Sequence, residues 1–226
     1  MFDRFRYRSY ELERLDTGAY TDDEYTKWQS EMRFIHRVFG ELRALRRSLF
    51  NQILSSGANE VSILDVGAGS GNLLREMRKQ LIGKTPFLVG VELDGAAAKA
   101  IHDASIEAVR CDALRLPFSN ESFDFVTCTL FLHHLTDDSA VQLLIEMKRV
   151  SRKKVIVIDL HRSPIAYYFY RAFARLMFQP FTCEDGALSI MRSFKPRELY
   201  QLAQRAGLKD IAVVRSASYR LVLSGN

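Results

Sequence analysis

The chain has 226 residues and a formal net charge of +5, with 47% hydrophobic and 26% charged residues. This length accommodates one sizeable domain with a full core, and this composition argues against a disordered or fibrous protein. The chain lacks a run of about 18 apolar residues, so we expect no transmembrane helix, and its charged N-terminus does not resemble a secretory signal. Three widely spaced cysteines, Cys111, Cys128 and Cys183, indicate reduced thiols, a cytoplasmic protein and no zinc site.

Basic residues are concentrated near the C-terminus. Residues 145–226 contain fifteen basic and six acidic residues. Such a region is able to bind nucleic acid or an anionic ligand, but a solvated surface rich in lysine and arginine is the simpler interpretation. The charge distribution therefore does not favour a nucleic-acid partner.

The first predicted elements are helical. Over 22–56, apolar residues recur at helical spacing, and a break near Gly40 indicates two helices. A linker over 55–60 follows. We interpret 1–58 as an N-terminal helical cap and 59–226 as the main, ligand-binding domain.

From residue 61 onward, predicted strands and helices alternate. Apolar and β-branched runs predict strands at 61–66, 87–93, 106–111, 123–132, 154–160, 211–217 and 219–225. Amphipathic runs predict helices at 71–82, 95–104, 138–151 and 196–207. This alternation predicts an α/β fold with a mostly parallel seven-stranded sheet, covered on both faces, whose last two strands pair antiparallel at one edge. The aromatic-rich insertion over 161–194 has the length and position of a lid.

A glycine-rich loop follows the first predicted strand, in the stretch DVGAGSG over 65–71. Gly67, Gly69 and Gly71 permit positive φ angles and a close approach of the backbone to a ligand. The loop lies at the carboxyl edge of the predicted sheet, which is where ligands bind in such folds. Its spacing departs from the dinucleotide-binding pattern G-x-G-x-x-G, because Asn72 occupies the third glycine position of that pattern.

Two acids at later strand ends narrow the ligand class. Glu92 ends the second strand, where a carboxylate accepts both hydroxyl protons of a ribose. Asp112 follows the third strand, where a carboxylate accepts from the exocyclic amine of adenine. Three strand ends therefore offer polar groups along one edge, which suits an adenosine with a short polar tail.

At these three strand ends the chain resembles the class I S-adenosylmethionine-dependent methyltransferases. DVGAGSG matches the family's acid-x-Gly-x-Gly-x-Gly signature, VGVELD resembles its ribose-binding strand end, and CDALRLPFSNESFDFVTCTLFLHHL resembles the region joining its third and fourth strands. The resemblance covers about residues 60–160 most strongly and is closest to the small-molecule branch that includes the ubiquinone and menaquinone biosynthesis methyltransferases. It implies a Rossmann-like methyltransferase fold, S-adenosylmethionine as the cofactor and methyl transfer as the activity.

The resemblance also implies a role for each matching residue. Asp65 and the backbone of Gly67, Ala68 and Gly69 would hold the methionine portion of the cofactor. The other implied contacts are Glu92 to the ribose, Leu93 stacked on the adenine, Asp112 with its neighbour Ala113 at the adenine amine, and Thr129 and Leu130 near the sulfonium. The alternative for Asp65 is that it caps a helix or orders the loop. The alternative for Glu92 and Asp112 is that they are solvated acids at strand ends.

Methyl transfer from a sulfonium depends mainly on proximity and alignment, because the leaving group is already activated. A base is needed only when the acceptor arrives protonated. His133 and His134 follow the fourth predicted strand and His161 follows the fifth, and each is a candidate base with a structural role as the alternative. Apart from the adjacent histidines, the chain shows no set of histidines and carboxylates at metal-ligand spacing, so we predict a metal-free reaction.

The chemical class of the methyl acceptor is inferred from the two segments predicted to cover the site, the N-terminal helices and the insertion over 161–194. Aromatic residues in the N-terminal helices and the insertion favour an aromatic, quinone-like or polyketide metabolite, methylated on oxygen or carbon, although most of these rings also suit packing. A carboxylate or phenolate of the substrate could be bound by three arginines, Arg162, Arg192 and Arg220. The favoured alternative is that these three side chains lie on the protein surface. Methylation of RNA or protein and a non-catalytic cofactor-binding scaffold are the competing functions, and a homodimer is compatible with the sequence.

Overall fold

A seven-stranded sheet forms the centre of the protein in the computed structural model, which describes residues 3–216 and 219–226. Its strands are β1 (Glu60–Val66), β2 (Thr85–Glu92), β3 (Glu107–Arg110), β4 (Phe123–Thr129), β5 (Ser151–Leu160), β6 (Ala212–Ser216) and β7 (Arg220–Gly225). They lie in the order β3-β2-β1-β4-β5-β7-β6, and β7 runs antiparallel to both of its neighbours, β5 and β6, while the other paired strands are parallel. The predicted mostly parallel sheet with antiparallel pairing at one edge is confirmed. The predicted end of the sixth strand at Ala217 and the tight connection through Ser218 lie outside the described residues.

Both faces of the sheet are buried, as expected for strands that read as continuous apolar runs. Successive side chains point to opposite faces, so Leu64 and Val157 belong to one core while Ile63 and Ile156 belong to the other. All four side chains are fully buried. Burying an aliphatic side chain of this size contributes about 1.5–3 kcal/mol, and these two cores hold the strand ends at a fixed mutual position.

The N-terminal part of the chain is helical, as predicted. It contains α1 (Arg14–Thr17), α2 (Asp22–Val38), α3 (Glu41–Leu45) and α4 (Asn51–Ser55), with a π-helical turn at Arg46–Phe50. At the start of α2, the Thr21 hydroxyl accepts from the Glu24 amide at 3.2 Å while the Glu24 carboxylate accepts from the Thr21 amide at 2.9 Å. The break near Gly40 is confirmed, because this glycine adopts a φ of 88° between α2 and α3.

Six helices follow in the described remainder of the chain. They are α5 (Asn72–Gln80), α6 (Gly95–Asp103), α7 (Asp137–Val150), α8 (Pro164–Met177), α9 (Pro180–Arg192) and α10 (Pro196–Arg205). Side chains of α7 and α10 pack into the core on one face of the sheet, and those of α5 and α6 pack into the core on the other. Within the described residues, the helices are too short or too polar to cross a bilayer.

The predicted insertion over 161–194 forms α8 and α9, which pack with the N-terminal segment. Phe5 is buried among the side chains of Tyr167, Tyr170 and Met191. The Ser9 amide donates to the Met191 carbonyl at 3.0 Å. The N-terminal segment and α9 also meet just beyond β4, where Arg8 and Arg192 both donate to the His133 carbonyl.

Candidate active site

The carboxyl ends of β1 and β4 meet where the strand order reverses direction, which is the usual ligand-binding position in such sheets. Asp65 of β1 is buried there, and Oδ1 accepts a hydrogen bond from the Thr127 hydroxyl of β4 at 2.7 Å. Burial raises the pKa of Asp65 to about 7; the Thr127 bond opposes this rise and the nearby Glu92 carboxylate adds to it. The environment of this acid therefore favours its protonated form, and a positively charged partner would favour the ionised carboxylate instead.

The glycine-rich loop wraps over the end of β1 in a left-handed conformation. Gly67, Gly69 and Gly71 have φ angles of 69°, 53° and 73°. A Cβ at Gly67 would lie 2.6 Å from the Phe131 ring, whereas a Cβ at Gly69 would meet no atom within 4 Å. Gly67 therefore allows close packing against Phe131, and Gly69 borders open space that a ligand can fill.

Glu92, at the end of β2, connects the glycine-rich loop to the next strand end. Its carboxylate accepts from the Gly69 amide at 2.8 Å and from the Leu93 amide at 2.9 Å. Leu93 and Asp112 are both exposed, and the Asp112 carboxylate accepts from the Leu114 amide at 2.9 Å. An exposed leucine and two carboxylates thus border a shallow, open edge.

The residues predicted to bind the cofactor lie at the ends of four adjacent strands. We call this set the cofactor edge; it comprises Asp65, Gly67, Ala68, Gly69, Glu92, Leu93, Asp112, Ala113, Thr129 and Leu130. Thr129 ends β4, and its buried hydroxyl has no hydrogen-bond partner among the described residues. Leu130 has a φ of 52°, which is uncommon for a branched side chain and typical of functional turns. An unpaired hydroxyl beside a strained turn is consistent with a ligand at this strand end.

His133 lies in the turn after β4 and is buried. Its Nδ1 is 2.6 Å from Asp159 Oδ1 at the end of β5, and its backbone amide donates to Asp159 Oδ2 at 2.9 Å. Burial alone would raise the pKa of Asp159, but the His133 ring and backbone amides outweigh burial and hold the pKa below its ordinary value. The Asp159 carboxylate therefore fixes the ring so that Nε2 faces the opposite side.

The opposite side of His133 is occupied by Glu13 from the N-terminal segment. Glu13 Oε1 lies 3.9 Å from His133 Nε2 and accepts from the Ser189 hydroxyl of α9 at 2.9 Å. Burial raises the pKa of Glu13 to about 7, although His134, Ser189 and Arg192 act in the opposite direction. Sequence reasoning missed Glu13, since it lies 120 positions before His133 in a segment without a recognised motif.

His134 points to a second acid of the N-terminal segment. Its Nδ1 is 2.9 Å from Asp16 Oδ1, and Asp16 also pairs with the Arg192 guanidinium of α9. Burial opposes ionisation of Asp16, but His134 and Arg192 together lower its pKa well below its ordinary value. We call Glu13, Asp16, His133, His134 and Asp159 the acid–histidine cluster.

His161 does not join this cluster. Its ring lines a separate hollow of about 230 Å³ together with Arg215, Tyr219 and Arg220. Burial, followed by the charge of Arg215, lowers the pKa of His161 to about 4. The fold therefore brings two of the three candidate bases together and leaves the third in basic surroundings.

The surface position favoured for three arginines is wrong, because Arg162, Arg192 and Arg220 are all buried. Arg162 donates to the Ser193 carbonyl at 2.6 Å, and Arg220 donates to the Glu41 carboxylate at 2.8 Å. Arg192 donates to the His134 carbonyl at 2.8 Å in addition to its pairing with Asp16. Each guanidinium finds its partners in segments that are distant along the chain, and sequence alone could not pair them.

Comparison with known proteins shows that this chain is similar to methyltransferases. A family model described as a methyltransferase domain matches residues 63–154. The chain is 31% identical over 176 residues to a demethylmenaquinone methyltransferase of Roseiflexus sp. strain RS-1, covering 70% of each chain. It is 26% identical over 219 residues to a demethylmenaquinone methyltransferase of Deinococcus radiodurans, covering 87% of this chain and 88% of that one.

Solved structures agree on the fold. A crystal structure of a SAM-dependent methyltransferase from Aquifex aeolicus superimposes with a TM-score of 0.56 at 16% identity, covering 85% of this chain and 96% of that chain. The sequence similarity to the Roseiflexus enzyme is high enough and long enough to establish common membership. This chain therefore belongs to the class I S-adenosylmethionine-dependent methyltransferases, and S-adenosylmethionine is its cofactor.

Proposed function

We propose that this methyltransferase methylates an oxygen or a carbon of a small phenolic ring of the quinone-like class, without a metal. The observation that carries the proposal is the buried chain of Glu13, His133 and Asp159 beyond the end of β4. A phenolic acceptor gives up a proton when it is methylated, so it benefits from a base at this position. The similarity to enzymes named for demethylmenaquinone supports the same acceptor class.

We assign cofactor binding to the cofactor edge. Bound S-adenosylmethionine supplies a methyl group on a sulfonium, which transfers by in-line displacement. The buried Asp65 carboxylate suits the cationic amine of the methionine portion, and Glu92 retains acceptor positions for the ribose hydroxyls. The unpaired Thr129 hydroxyl suits a polar contact near the sulfonium. These residues fit the cofactor because they combine two carboxylates, an open glycine and an unsatisfied hydroxyl.

We assign proton removal to Glu13, with His133 as its neighbour. The 3.9 Å gap between Glu13 Oε1 and His133 Nε2 is too wide for a hydrogen bond between them. One acceptor hydroxyl between the two atoms would lie within about 2.8 Å of each. S-adenosylmethionine would supply the methyl group, its sulfur keeping the electron pair of the broken bond, and the hydroxyl proton would pass to Glu13. With a ring carbon as acceptor, the hydrogen of that carbon would also leave as a proton and the oxygen would regain one, which restores the aromatic ring. A carboxyl whose pKa is about 7 accepts this proton readily near neutral pH.

A metal is not required by this arrangement. Ligand atoms of Glu13, His133 and His134 lie within 4.8 Å of one another, a distance compatible with a cation. However, the Arg192 guanidinium already lies 3.8 Å from Glu13 and pairs with Asp16. We propose that this guanidinium, rather than a metal ion, supplies the positive charge near the acceptor.

Substitution of the proposed base tests the function. With a panel of phenols and hydroquinones, we expect Glu13→Gln to lower kcat by about a hundredfold or more. The affinity for S-adenosylhomocysteine should stay unchanged, because Glu13 is outside the cofactor edge. The matched control is Glu11→Gln, which removes an exposed carboxylate from the same segment and should leave kcat unchanged.

Two results would overturn the proposal. A kcat within a few-fold of wild type for Glu13→Gln would show that this carboxylate is not the base. Labelled-methyl transfer to bulk RNA or protein, with none to the phenol and hydroquinone panel, would show that the acceptor class is wrong.

A further inference from the structure

The outer side of α8 carries a row of exposed apolar side chains. Ile165, Phe169 and Leu176 are 65%, 60% and 86% exposed. They are spaced by four and seven residues, so they lie along one side of the helix, with the exposed Ala172 between them. Scattered exposed apolar residues are ordinary, but an aligned row of this kind indicates an interaction surface.

Aromatic packing extends this row onto α2. Phe169 stacks on Phe173 with ring centroids 6.4 Å apart, and Phe173 meets Phe39, just after α2, at 5.7 Å. Phe34 and Val38 of α2 are also exposed. We call the combined surface the apolar face; it consists of Phe34, Val38, Ile165, Phe169, Leu176 and Met177.

Arginines flank the apolar face along α8. Arg171 and Arg175 are exposed one turn apart on one flank of α8, about 100° to 140° around the helix from the row. Arg4 is also exposed, and both Arg4 and Arg171 donate to the Tyr167 hydroxyl, at 3.0 and 3.3 Å. The sequence of α8 contains no acid, so this helix contributes only positive charge to the surface.

We propose that the apolar face docks this protein onto the surface of an anionic lipid bilayer. Its apolar residues would enter the region between headgroups and acyl chains, while Arg4, Arg171 and Arg175 would meet lipid phosphates. The charges favour a bilayer over a second copy of the chain, because two copies paired through α8 would bring arginines together without an acid on that helix. The biological use of this surface, though not the binding itself, rests on the proposed function, since apolar quinone-like acceptors partition into membranes.

Vesicle co-sedimentation of the full chain tests the proposal without a methyl acceptor. We expect binding to vesicles of phosphatidylcholine mixed with phosphatidylglycerol, and weaker binding to phosphatidylcholine alone, by about fivefold for each arginine involved. Leu176→Glu should weaken binding to the mixed vesicles by about tenfold or more. The matched control is Ile82→Glu, because Ile82 is 83% exposed and follows α5, outside the apolar face.

The outcomes separate this inference from the proposed function. Turnover of a water-soluble phenol by Leu176→Glu at the wild-type rate, together with lost vesicle binding, would support a surface role. No binding of the wild type to anionic vesicles would overturn the inference. Light scattering that shows a wild-type dimer converted to a monomer by Leu176→Glu would also overturn it, in favour of self-association. Vesicle binding with no methylation of any phenol would refute the proposed function alone.

Discussion

The cofactor edge and the acid–histidine cluster lie next to each other but are built in different ways. The cofactor edge comes from consecutive strand ends, and its hydrogen bonds join residues at most about 60 positions apart, as between Asp65 and Thr127. Hydrogen bonds to the acid–histidine cluster come from residues as distant as Ser189 of α9, which donates to Glu13 from 176 positions away. In the first region Leu93 and Asp112 are exposed, although Asp65 is buried, whereas His133, Asp159 and Glu13 of the second region are all buried.

This difference in construction corresponds to two tasks, cofactor binding at the cofactor edge and proton removal at the acid–histidine cluster. A local, backbone-rich edge suits a cofactor that many enzymes share, because glycine turns and strand ends recur with the fold. A cluster assembled from the N-terminal segment, the turn after β4 and the end of β5 can change without disturbing that edge. We therefore expect substitutions at the cofactor edge to change cofactor affinity and substitutions in the cluster to change kcat.

The largest expected effect is that of Asp159→Asn on turnover. An amide in place of the carboxylate would present a donor to His133 and reverse the ring's hydrogen-bonding pattern. Because His133 lies beside the proposed base Glu13, kcat should fall about as far as in Glu13→Gln, by about a hundredfold. The affinity for S-adenosylhomocysteine, measured by calorimetry, should stay within about twofold of wild type. The control is Asp124→Asn, which alters a buried carboxylate near the opposite end of the sheet, where Asp124 accepts from the Ser62 amide at 3.0 Å. A large loss of cofactor affinity in Asp159→Asn would end the proposed separation of tasks.

A smaller effect, on cofactor affinity, is expected from Gly67→Ala. The new methyl group would strike the Phe131 ring and also occupy a left-handed backbone position, so affinity should fall by about thirtyfold. Gly83→Ala is the matched control, because Gly83 has a φ of 84° but a Cβ there meets no atom within 4 Å. Backbone strain should cost both variants about 1–2 kcal/mol of stability, and the clash with Phe131 should add to this loss in Gly67→Ala alone. Equal cofactor affinities in the two variants would contradict the role assigned to the loop.

The smallest expected effect is a change of cofactor affinity with pH. Because the folded-state pKa of Asp65 is about 7, the folded protein retains a proton that the unfolded chain has lost above about pH 4. Through this group, the free energy of unfolding therefore falls as pH rises from about 4 to about 7. An ammonium partner requires the ionised carboxylate, so affinity for S-adenosylhomocysteine should rise about tenfold between pH 6 and pH 8. Asp65→Asn should bind weakly with little pH dependence, and an unchanged slope in that variant would refute the assignment.

The sequence predicted the sheet and the conformation of the glycine-rich loop well because both depend on local patterns. Apolar runs of the right length became β1, β2, β4 and β5, and the glycines of the loop have the positive φ angles expected for them. The break between α2 and α3 could be predicted because glycine readily adopts a left-handed conformation, which is the one that Gly40 has there. Whether each residue of the edge contacts the cofactor as the resemblance implies stays a prediction.

The burial of the arginines and of Glu13 could not be predicted from local patterns. A charged residue in the sequence is normally assigned to the surface, because burial of an unpaired charge costs several kcal/mol. Arg192 and Arg220 are buried since Asp16 and Glu41 pair with them from other segments. The sequence shows each arginine but does not show which acid from a distant segment pairs with it.

The sequence by itself determined the succession of strands and helices along the chain, the position of the glycine-rich loop and the family to which the chain belongs. These follow from periodicity and short motifs, in which interacting residues are close along the chain. Only the tertiary structure decided that Glu13 faces His133, that His161 lies apart and that α8 leaves an apolar row uncovered. Those features depend on contacts between distant segments, and no local pattern encodes which distant segments meet.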